Sequence, residues 1–99
     1  MEMTTAALAA SAQSDSQPPA GLSDELQSLW HLKADHWGAS HNIAQEIHTP
    51  MGSWIHALLH LVEGDIGNAG YWFRKANKPI RSADEVDDLW HEITDVLLE

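Results

Sequence analysis

"HALLHLVEGDIGNAGYWFRKANKP" (residues 56–79) decides the fold. Before Gly64, Trp54, Ile55, Leu58, Leu61 and Val62 share one broad face of a helix. After it, Ile66, Ala69, Trp72, Phe73 and Ala76 form a second helical stripe. Gly64 is suited to end the first helix. Asp65 can accept bonds from the free N–H groups that begin the second. Lys78-Pro79 then closes the unit, so the stretch reads as one helix–turn–helix joint.

The pattern repeats on either side. "LWHL" at 29–32 and "LLHL" at 58–61 lie 29 positions apart. At that offset Asp35–Ser40 falls on Gly64–Ala69, Ala44 on Phe73, and Ile47 on Ala76. "LWHE" at 89–92 is a third copy of the first-helix signature. Ser23 is an N-cap with Asp24 and Glu25 in the first turn, where the helix dipole favours acids. Leu26, Leu29, Trp30 and Lys33 follow at helical spacing.

A second helix is expected from about Trp37 to His48, burying Trp37, Ser40, Ala44 and Ile47. The third opens on Thr49-Pro50, where a missing N–H costs nothing. "SADE" is a capping box, Ser82 with Glu85, before the stripe Val86, Leu89, Trp90, Ile93, Val96 and Leu97. No run alternates like a strand. The prediction is an all-α domain over 22–99: a five-helix stack of two helical hairpins and a C-terminal capping helix. Residues 1–21, small, polar and Pro-rich, read as a flexible leader.

Composition narrows the function. The chain has 99 residues and no Cys, which excludes disulfides, thiolate catalysis and Cys-based zinc sites. Its 15 acids against 5 bases give a charge of −10, unfavourable for nucleic acid or an anionic membrane surface. The bases Arg74, Lys75, Lys78 and Arg81 cluster opposite an acid-rich last helix, and the two blocks are expected to face each other. No segment reaches a membrane-spanning length, and the start lacks a basic signal region, so a cytoplasmic location is expected.

The residues that form the joint, Gly64-Asp65, Ala69, Phe73, Ala76 and Pro79, with Ala57 on the helix before, resemble the second half of a tetratricopeptide repeat. The repeat length here is 29 residues, and the first pair matches through Ser40, Ala44 and Ile47. Over residues 29–98 the chain is also similar to a group of small bacterial proteins of unknown function. It shares their His-x3-His-x2-Glu-Gly-Asp-x2-Asn-Ala-x-Tyr-Trp-aromatic-Arg string and a Trp-x3-His like Trp37 to His41. These resemblances imply a helical-repeat fold and no settled activity.

On the third helix His56, His60 and Glu63 fall within about 60° of one another, opposite the apolar face. Two imidazoles one turn apart can chelate a metal such as zinc, nickel or iron. Glu63 is a candidate third ligand and His41 a fourth. Packing and hydrogen bonding explain the same histidines, since His31 and His91 repeat the pattern. Asn68, Tyr71 and Lys75 share the polar side of the fourth helix, with Arg74 at its edge. Gly67 and Gly70 are expected to let helices approach closely. Glu63, at a helix C-terminus, needs a compensating partner, Arg74 or a histidine.

No residue is set up as an activated nucleophile, so no catalytic residue is assigned and a binding role is favoured over an enzymatic one. The primary expectation is a protein–protein interaction module, without cofactor. It would bind a protein segment, or its own copy as a homodimer, through His56, His60, Glu63, Asn68, Tyr71 and Arg74. The alternative is a protein that binds a divalent transition metal or a small ligand at His41, His56, His60 and Glu63, with hydrolysis as the chemistry such a centre would supply.

Overall fold

A computed structural model describes residues 3–99. Among them every regular element is helical: α1 (Thr5–Ser14), α2 (Asp24–Lys33), α3 (Trp37–Ala44), α4 (Pro50–Val62), α5 (Ile66–Lys75) and α6 (Val86–Leu98), with a 3-10 turn at Ala83–Glu85. The all-α class holds, with six helices in place of the expected five. The additional one lies where the flexible leader was expected. Thr4 caps α1 by accepting a bond from the Ala7 N–H. Alanine, the strongest helix former, carries the rest. Leu8 and Ala12 are buried, and the Trp30 indole N–H donates to Ser11 Oγ at 3.1 Å. Thr5 donates to Asp95, so α1 is held against both α2 and α6.

The 29-residue repeat is visible in the backbone. At the end of α2, Asp35 has φ +66° and the His36 N–H donates to the His31 carbonyl. At the end of α4, Gly64 has φ +82° and the Asp65 N–H donates to the His60 carbonyl. Both are the same left-handed helix closure, on aligned residues. Asp65 then caps α5, its carboxylate accepting from the Asn68 N–H at 3.3 Å. α3 is shorter than expected: it ends at Ala44, and residues 45–49 turn the chain into α4.

Side-chain packing repeats as well. Where α2 and α3 touch, Ser28 Oγ donates to the Ser40 carbonyl at 2.9 Å and Ser40 Oγ to the Ser28 carbonyl at 2.6 Å. The equivalent positions on α4 and α5 are Ala57 and Ala69, equally buried. One close contact is thus made in polar form and again in apolar form. Removing one hydroxyl strands a buried partner, whereas replacing both leaves an alanine pair. Ser28→Ala or Ser40→Ala alone should cost about 1–2 kcal/mol, and the double variant clearly less than their sum. Urea unfolding of the four proteins measures the coupling; strict additivity would contradict it.

α4 is the central element. Residues 52–61 are all buried, polar and apolar alike, because α2, α3, α5 and α6 pack around it. Its histidines therefore sit in the interior rather than on an exposed polar face. Ile66, expected in the apolar stripe of α5, is half exposed instead, while Phe73 is fully buried. Of the basic cluster, Arg81 reaches the acidic side, bonding Glu85 at 2.8 Å and Glu92 at 2.6 Å. Lys75 and Lys78 lie over the Trp72 and Trp54 rings at 4.9 and 4.2 Å. No helix among the described residues is long and apolar enough to cross a membrane.

Candidate metal centre

The i, i+4 spacing sets His56 and His60 one turn apart on α4, their rings stacked at 4.8 Å. α3 crosses here and supplies His41, whose Nε2 lies 3.1 Å from His56 Nε2. Ligand atoms of His41, His56 and His60 all lie within 4.8 Å of one another. His56 and His60 are each 7% exposed and His41 is half-buried.

Indole rings hold the imidazoles in place. Trp72 of α5 stacks on His56 at 3.9 Å with 8° between planes. Trp37 stacks on His41 at 4.8 Å and 12°. Its own indole N–H donates to the Leu59 carbonyl at 2.8 Å, tying the start of α3 to α4. Rings locked in this way are oriented before any ligand arrives.

Glu63 takes a different place from the one its spacing suggested. Its carboxylate lies 2.6 Å from His60 Nδ1. A carboxylate can only accept, so Nδ1 carries the hydrogen and the lone pair of His60 is on Nε2. The pair is the carboxylate–histidine arrangement found behind metal-ligating imidazoles. It also supplies the partner that Glu63 needed; Arg74 does not. Asn68 Nδ2 is 3.5 Å from His60 Nδ1 and 3.4 Å from Nε2. Near-equal distances place the amide astride the ring, off the axis of the Nε2 lone pair.

The electrostatics disfavour protonation of His56 and His41. Burial, then the neighbouring His60, His41 and Lys75, push His56 down to about 4. Burial and His60 also lower His41, against an opposing pull from Glu63. Neutral imidazoles are the form that binds metal, with little competition from protons near neutrality. Two nitrogens bound to one tetrahedral zinc are about 3.3 Å apart, close to the His41–His56 separation. Without an ion the same separation is a hydrogen bond with one ring donating, and a metal would replace that proton.

Of the residues singled out from sequence, His41, His56, His60, Glu63 and Asn68 converge. Tyr71 and Arg74 are exposed on α5 and do not join them. Trp72 is the site residue that sequence reading assigned to the core stripe. Gly67 and Gly70 are not close-approach positions. Among the described residues a methyl group at Gly67 would meet nothing within 4 Å, and one at Gly70 the flexible end of Arg74 at 3.4 Å and Ile80 Cδ1 at an ordinary 3.9 Å. That role belongs to Gly52. No family model, curated protein or solved structure gives a significant match to this chain.

Proposed function

We propose that this chain is a metal-binding protein that holds one divalent transition ion on His41, His56 and His60, with Glu63 behind His60. The observation that carries this reading is the convergence of three imidazoles from α3 and α4 within 4.8 Å, two of them 3.1 Å apart. Nitrogen donors favour zinc, nickel or copper over calcium or magnesium. Three protein ligands leave one tetrahedral position for water or a small molecule, which distinguishes the arrangement from a closed structural site.

The test is a titration of untagged, chelator-stripped protein with Zn(II), followed by calorimetry, and with Co(II), followed by its visible bands. The expected result is one ion per chain, tetrahedral cobalt bands, and loss of both in His56→Ala and His41→Ala. Absence of binding in the micromolar range, or binding that survives both substitutions, would overturn the assignment.

A second reading, a helical module that binds a protein segment or its own copy, is favoured by Ile66 and Tyr71, each 51% exposed on α5. It loses its basis if Ile66→Ser with Tyr71→Ala changes neither oligomeric state nor any recovered partner.

A further inference from the structure

Next to His56 a cleft of about 330 Å³ opens between the end of α3, the 45–49 turn, the start of α4 and the end of α5. Its volume falls in the range of small-molecule sites. Its walls are largely apolar, with Ile47, Pro50 and Trp72 prominent. Although 15 of the 99 residues are acids, no Asp or Glu among the described residues lines it. The titratable groups that face it are Lys75, His48 and His56. In a chain of net charge −10 it is a local concentration of positive and neutral groups.

Two further features point to a ligand with a negative head. Ser53 lines the cleft and is only 8% exposed as a residue. No buried side-chain N or O atom among the described residues lacks a hydrogen-bond partner, so the Ser53 hydroxyl, which bonds none of those residues, is open to the cleft. A hydroxyl open to a cleft of largely apolar walls is free to bond a ligand there. The first turn of α4 also ends on the cleft, adding the positive end of the helix dipole. Thr49 already occupies the Gly52 N–H at 3.1 Å, so a negative head would rest on side chains, with the Lys75 ammonium the full positive charge among the lining residues and the Ser53 hydroxyl a donor beside the start of α4.

We propose that this cleft is a binding pocket for a small organic carboxylate, its head on Ser53 and Lys75 and its apolar body against Ile47, Pro50 and Trp72. A single full cation suits a monoanion better than a phosphate. The inference goes beyond the metal centre and does not require it, although the two share His56.

Metal-free protein labelled with nitrogen-15 can be titrated at neutral pH with benzoate, with benzyl alcohol as the neutral analogue and inorganic phosphate as the competing anion. Saturable amide shifts centred on His48, Gly52 and Ser53 are expected with benzoate. Binding should weaken about tenfold in Ser53→Ala and in Lys75→Met, as for loss of a charge-assisted hydrogen bond. Benzyl alcohol should bind as weakly as benzoate does to the variants. Lys75 is exposed, so Lys75→Met reads the pocket even if Ser53→Ala perturbs the fold. The proposal is overturned by shifts that stay linear to the solubility limit, by affinity unchanged in both variants, or by phosphate binding as tightly as benzoate.

Discussion

Gly52→Ala should lower the melting temperature by about 5–20 °C, whereas the same substitution at Gly67 should raise it by about 5 °C. Both glycines lie in the first turn of a helix, where alanine is worth up to about 1 kcal/mol more than glycine. At Gly67 none of the described residues stands within 4 Å of the added carbon, so that gain is realised. At Gly52 the added carbon would lie 1.9 Å from the Ile47 carbonyl oxygen and 2.8 Å from Ile47 Cγ2. The obstacle is backbone, so the 47–52 turn itself must shift. Overpacking of this kind costs about 1–3 kcal/mol. Displacing the Thr49 cap adds about 1 more. The penalty exceeds the propensity gain, leaving a net loss of about 1–3 kcal/mol. Thermal melts of the two variants with wild type check this. A Gly52→Ala melt at or above wild type would show that the turn yields freely.

Mild acid should weaken the metal-free fold before the carboxylates titrate. His56 titrates at about 4 in the folded protein, held down first by burial and then by His60, His41 and Lys75. Unfolded, it returns to about 6.5. The unfolded chain therefore takes up the proton first, and stability present above pH 6.5 is lost as pH falls towards 4. His41, lowered by burial and by His60, acts with the same sign. So does His31, lowered by burial and by His36. With solvent screening allowed for, the His56 contribution is about 2 kcal/mol.

Glu85 marks the end of that window. The Ser82 N–H, then Arg81 and the Ser82 hydroxyl, hold it at about 2, so its support is present above the ordinary carboxylate value of 4.5 and is lost as pH falls from there towards 2. Urea midpoints measured with chelator at pH 7, 6, 5 and 4.5 should fall throughout the series for wild type and less for His56→Asn. A flat series would contradict the burial of His56.

Much of the fold could be read from local rules. Thr49-Pro50, Asp65 and Ser82-Glu85 begin helices where the sequence places them, and Gly64 ends one. The 29-residue offset carried through to matching turns and to the Ser28–Ser40 and Ala57–Ala69 contacts. α1 was missed because its evidence is tertiary: one large apolar residue, Leu8, in an alanine-rich run shows almost no periodicity until α2 and α6 are present to cover it. The site was legible along α4, where the i, i+4 spacing pairs His56 with His60. His41 could be named as a candidate, but its approach depends on how α3 crosses α4. Trp72 and Gly52 owe their roles to contacts across helices, with His56 and with Ile47, which periodicity along one helix does not report.

The central position of α4 has a consequence for motion. An element enclosed by four neighbours opens only when most of the molecule opens, so its amides should be among the slowest to exchange with solvent. His56 and His60 both stand on that slow element. His41 stands on α3, an eight-residue helix with several exposed positions, whose partial openings cost far less. A centre built this way has a permanent half and a detachable half. An ion would be gained or released through excursions of α3, while the pair on α4 keeps its geometry throughout.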